Sequence, residues 1–199
     1  CRPRVVGNDV KLNDDFGFVF AGSGCSPVMA KNTMIGNGKV TVHVEQGATT
    51  VIEDNVIFGG KVGMLVSTTS KPDCRRNNFG TNELHSLKVT SNATGYFHDN
   101  RFKGGEDSIV FVHDGANPHL DGNEICDGEA VGVRVTEGGI GRFAGNQIRN
   151  IPTGVEIALY ADPILEDNQI SMCQNFGVVV EEEGIGSVIG NTFLNNGTG

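Results

Sequence analysis

Gly95-Tyr96-Phe97-His98-Asp99-Asn100-Arg101-Phe102 is one turn of a pattern that runs the length of the chain. One repeat earlier stands Pro72-Asp73-Cys74-Arg75-Arg76-Asn77-Asn78-Phe79, and three repeats later Pro163-Ile164-Leu165-Glu166-Asp167-Asn168-Gln169-Ile170. The asparagine recurs at Asn8, Asn32, Asn55, Asn77, Asn100, Asn123, Asn146, Asn168 and Asn191, at spacings of 22 to 24 residues. Two residues after it come Val10, Met34, Ile57, Phe79, Phe102, Ile125, Ile148, Ile170 and Phe193. Three before it come Val5, Met29, Ile52, Cys74, Phe97, Leu120, Phe143, Leu165 and Val188. Every member of both columns is apolar, so both columns read as core.

A third apolar stripe precedes these two. Val42/Val44, Met64/Val66, Leu87/Val89, Val110/Val112, Val133/Val135, Val155/Ile157 and Val178/Val180 are pairs spaced by two residues. That spacing places both side chains on one face of a strand. Five residues before each asparagine, Pro and Gly alternate through Pro72, Gly95, Pro118, Gly141, Pro163 and Gly186, which marks a corner.

No repeat carries ten residues of helical periodicity, so the helical repeat families are excluded. Three short strands per coil of about 22 to 24 residues predict an all-β parallel β-helix, because only stacked coils bury all three stripes. The chirality of parallel crossovers predicts a right-handed coil. A polar column present in every coil is a structural ladder of side-chain amides rather than a binding groove. Residues 1–199 are expected to form one β-helix domain, a piece of a longer solenoid.

The chain has 29 Gly, 11 Phe and no Trp, and its formal charge is −9. Nucleic acid and anionic membrane surfaces need a basic face, so both are disfavoured as partners. No apolar run approaches the roughly 18 residues of a membrane span. Cys1, Cys25, Cys74, Cys126 and Cys173 are odd in number and contain no CxxC, which points to reduced thiols in a cytoplasmic or nuclear protein. No cofactor-binding or metal-binding motif occurs.

With the core assigned, the outward positions form columns. Asp73, Tyr96, His119 and Arg142 lie four before the asparagine, and Glu53, Arg75, His98 and Asp121 two before it. Together they predict a patch of Tyr96, His98, His119, Asp121, Arg75 and Arg142, with Glu53–Arg75 and His98–Asp121 as cross-strand pairs. A second face carries His43, Leu65, Lys88, Phe111, Arg134 and Glu156, with Leu65 and Phe111 expected to be exposed among charges and suited to a protein contact.

The repeats quoted above closely resemble the pectin-lyase-like right-handed β-helix repeats of CASH (carbohydrate-binding and sugar-hydrolase) domains. The Pro/Gly alternation looks most like the β-helix of F-box ubiquitin-ligase subunits. That resemblance spans residues 3–193 and implies a non-catalytic scaffold that recognises a protein partner. The alternative it implies is a polysaccharide-binding or polysaccharide-active protein, related to lyases, hydrolases and uronate epimerases. The chain lacks Asn-Thr-Asp, Gly-His-Gly and Asp-Pro-His, so no catalytic residue is assigned and the balance leans away from an enzyme. Tyr96, His98, His119 and Arg142 have the chemistry of an acid, a base and an anion clamp.

Overall fold

A computed structural model describes residues 1–198. Each of the first eight coils gives one short strand to each of three parallel sheets, the ninth gives one to each of two of them, and there is no helix among the described residues. The first sheet has nine strands, from Arg4–Val6 to Ser187–Ile189. The second also has nine, from Asp9–Lys11 to Thr192–Leu194, and the third has eight, from Phe16–Ala21 to Phe176–Val180. The register of every sheet is the sequence repeat itself: Cys74 lies opposite Ile52 on one side and Phe97 on the other.

The three apolar columns meet inside the coil. Phe97, Phe102 and Val112, one from each sheet, are all completely buried. Phe79 and Phe102 stack with ring centroids 4.7 Å apart, so the core is continuous along the stack as well as across it.

The asparagine column is a hydrogen-bonded ladder. Each Nδ2 donates to the Oδ1 of the next asparagine, from Asn8 to Asn32 at 2.9 Å through Asn168 to Asn191 at 2.8 Å. The same Oδ1 also accepts the backbone N–H of the preceding asparagine, as Asn123 does from Asn100 at 2.9 Å. The second amide hydrogen reaches a main-chain carbonyl one coil back: Asn100 donates to Cys74 at 2.8 Å. The column therefore satisfies the backbone at a corner where no strand ladder can.

A second, interrupted column stands five residues further on. Asn13 Nδ2 donates to Asn37 Oδ1 at 2.7 Å, Asn82 Oδ1 accepts from Gly60 N–H at 3.3 Å, and Asn196 Oδ1 accepts from Cys173 N–H at 2.9 Å.

The Pro/Gly alternation has a steric cause. Gly95 and Gly141 hold φ of +136° and +129°, where side chains are strained. A Cβ at Gly141 would meet the Pro118 carbonyl oxygen at 2.8 Å, and one at Gly95 would meet that of Pro72 at 3.0 Å. The proline of one coil is thus roofed by a glycine of the next.

Candidate functional site

Strands Asp73–Arg75, Tyr96–His98, His119–Asp121 and Arg142–Ala144 of the first sheet lie side by side. They carry Arg75, Tyr96, His98, His119, Asp121 and Arg142 on one outward face, as the sequence predicts. Arg75 Nε donates to Glu53 Oε2 at 3.0 Å, the expected pair. His98 behaves differently from expectation. Its Nε2 lies 3.3 Å from Asp73 Oδ1 and its Nδ1 3.0 Å from Asp99 Oδ2, while Asp121 accepts the Tyr96 hydroxyl at 3.1 Å. The Tyr96 ring stacks on the His98 ring, centroids 4.6 Å apart, and this turns the imidazole back toward Asp73 instead of forward to Asp121. Partial desolvation, then the Asp121 hydrogen bond, pushes the Tyr96 hydroxyl above its ordinary pKa, so it remains a proton donor. Arg142 donates to Glu166 Oε2 through Nε at 3.1 Å and Nη2 at 2.7 Å.

Two open notches lie along one edge of this face. The first is lined by Lys71, Asp73, Thr94, Gly95, Tyr96, Asn117 and His119. The second is lined by Asn117, His119, Ile140, Gly141, Arg142, Asp162 and Ile164. Each is centred on a coil whose corner residue is glycine, so the floor drops where a side chain is missing. Asn117 and His119 wall both notches, standing on either side of buried Pro118, which separates them. Each notch holds one cation, Lys71 or Arg142, and one carboxylate, Asp73 or Asp162. Lys71, Asn117, Ile140 and Asp162 all stand six residues before an asparagine, a column that sequence reasoning passed over because it has no uniform chemistry. Another depression lies at the opposite edge, where Arg76 and Arg101 line it but are engaged by Asp54 at 2.9 Å and Glu124 at 3.2 Å.

Phe111 is on the third sheet, away from the other six. It is half-buried rather than exposed: His113 stacks on it at 4.4 Å, His85 lies at 5.1 Å, and Lys88 Nζ sits 5.1 Å from its centroid. Leu65 is half-buried too. A ring filled on both sides has little surface left for a partner.

Burial lowers the pKa of His43, His85 and His113, all on or beside this third sheet, with neighbouring carboxylates partly opposing the shift. For a base, a depressed folded pKa means that the unfolded state binds more protons once the pH falls below about 6.5. Stability is therefore expected to be full above that pH and to fall as pH drops through it. Urea midpoints taken from pH 7.5 to 5.5 check this, and His85→Gln is expected to flatten part of the slope.

The first-sheet edge combines a phenol donor, an exposed imidazole, a guanidinium and carboxylates on a rigid sheet. Such a set can hydrogen-bond hydroxyl groups, pair with an anionic group and move a proton. The fold has close counterparts among solved structures. A double mutant of the periplasmic alginate epimerase AlgG superposes with a TM-score of 0.85 at 14% identity, over 96% of this chain and 50% of that one. AlgG itself gives 0.81 at 14% identity, over 99% and 50%. The A-module of the Azotobacter vinelandii mannuronan C-5 epimerase AlgE6 gives 0.68 at 13% identity, over 96% and 76%. The chain spans half the length of the AlgG structures, and at these identities the likeness is one of fold. No curated protein matches the sequence. The sequence itself matches the family described as right handed beta helix region over residues 1–79 and 74–199, which together take in the whole ladder and all three sheets. The stacked coils and the sequence match agree, and the chain belongs to the right-handed β-helix family.

Proposed function

We propose that this chain recognises a polysaccharide, and that the notches centred on Gly95 and Gly141 are its sugar subsites. The observation that carries this reading is their spacing. The two notches lie two coils apart, about 10 Å at the pitch of a parallel sheet. They share one wall, Asn117 and His119, and each offers one cation and one carboxylate. A site that repeats at a fixed pitch suits a ligand that repeats at a fixed pitch. A glycan whose alternate rings are turned over presents the same groups at every second sugar. A uronic-acid polymer is the polysaccharide suggested by the solved neighbours, which include enzymes of alginate and mannuronan.

The second reading is the protein-recognition scaffold expected from the Pro/Gly alternation. In three dimensions that same alternation makes regular notches, and the apolar residue expected to serve a protein contact, Phe111, is covered by its neighbours. Both observations favour the sugar over the scaffold.

Titration calorimetry with a mannuronate hexasaccharide tests the proposal. His119→Ala and Tyr96→Ala are each expected to weaken binding about tenfold, the equivalent of ~1.4 kcal/mol. Phe111→Ala is expected to leave it unchanged. Equal affinity in all four proteins, or no binding by the parent, counts against the assignment.

A further inference from the structure

Cys1 and Cys25 hold their Sγ atoms 2.9 Å apart. They occupy the same place in successive coils, seven residues before Asn8 and Asn32. The backbone around them is already joined: Ser26 N–H donates to the Cys1 carbonyl at 2.8 Å and Val28 N–H to that of Pro3 at 3.0 Å. Residues in register across a parallel sheet lie about 4.8 Å apart. That falls within the ~4.4–6.8 Å Cα separation of disulfides, so closing the ~2.05 Å bond asks only for side-chain rotation. Cys1 is exposed, which gives a soluble oxidant access to one partner.

The other three thiols are differently placed. Cys74, Cys126 and Cys173 stand at three different positions of the repeat, so stacking brings no two of them together. All three are buried, and burial pushes each thiol up, that of Cys173 to about 11. Their thiolate fractions at neutral pH are small, and they are poor nucleophiles.

We propose that Cys1 and Cys25 are an oxidation site that closes to a disulfide and staples the first coil to the second, while the other three cysteines stay as thiols. With oxidised glutathione as the oxidant, the Cys1 thiolate attacks one of its sulfurs and expels a glutathione thiolate. The Cys25 thiolate then attacks Cys1 Sγ of the mixed disulfide and expels the second. Both cysteines lose a proton, the S–S bond forms between them, and two electrons reside on two reduced glutathiones.

The test is intact mass and peptide mapping of the 199-residue chain after equilibration in oxidised-glutathione buffer and acid quench. The expected result is loss of two hydrogens, a single linked peptide joining Cys1 to Cys25, and three thiols that alkylate only after unfolding. Cys25→Ser is expected to stop at the Cys1–glutathione mixed disulfide, and the melting temperature of that variant to lose the rise that oxidation gives the parent chain. Five free thiols after equilibration, a stable mixed disulfide on Cys1 in the parent, or a link involving Cys74, Cys126 or Cys173 overturns the proposal.

Discussion

Asn100→Ala is expected to cost about 4 kcal/mol of unfolding free energy, from the ~1–3 kcal/mol for each buried polar group left without a partner. Asn100 accepts from both the backbone and the side chain of Asn77 at 3.0 Å, and donates to Asn123 at 3.1 Å and to the Cys74 carbonyl at 2.8 Å. Alanine breaks all four bonds at once. It leaves the Asn77 N–H stranded and takes from the Cys74 carbonyl its side-chain partner, at a site where Asn100 itself is 2% exposed and water has little access. The gap also falls mid-stack, where each coil is held only by its two neighbours. Asn8→Ala is the control. It removes a single bond, from Asn8 Nδ2 to Asn32 Oδ1, while the Asn8 backbone N–H keeps the same acceptor, and is expected to cost about 1 kcal/mol. Urea denaturation of the two variants measures the difference, and near-equal midpoints would show that the column is not a cooperative ladder.

Phe102→Ala is expected to cost a similar ~3–5 kcal/mol, for a different reason. Phe102 is completely buried and stacks on Phe79 at 4.7 Å. The strands on either side are fixed in register by their own hydrogen bonds, opposite Phe79 and Ile125, so the coil cannot collapse to fill the space. Transfer and cavity terms therefore both apply in full. Phe102→Leu, which keeps most of the volume, is expected to cost less than ~1.5 kcal/mol. A loss below 1 kcal/mol for the alanine variant would mean that the stack relaxes far more than parallel pairing allows.

The parts of this molecule that repeat were readable from sequence. The Asn100 column, the Phe97 and Phe102 columns and the outward register of Asp73, Tyr96, His119 and Arg142 all follow from one period. What did not follow were the features that depend on where a side chain turns. His98 faces Asp73 because the Tyr96 ring occupies its forward side, and nothing in the spacing distinguishes Asp73 from Asp121 as its partner. Phe111 was expected on the surface because its column is outward, but His85, His113 and Lys88 fold over it. The Asn37–Asn82 column escaped because Gly60 stands between the two. The notches escaped because they are made by an absence, the missing side chains of Gly95 and Gly141, and are walled by a column of mixed chemistry. Cys1 and Cys25 differ by one repeat length, so their contact was legible in principle; an odd count of cysteines had argued against looking for a pair.

The most direct test of the account is the affinity of the chain for mannuronate oligomers of increasing length, measured by titration calorimetry. Two subsites two coils apart predict weak binding by a disaccharide, which fills one notch, and a steep gain at the trisaccharide, whose first and third sugars reach both. His119→Ala, removing a wall common to the two, is predicted to abolish that gain. Affinity that does not change with length, or a gain that survives His119→Ala, would contradict the assignment of the notches as sugar subsites.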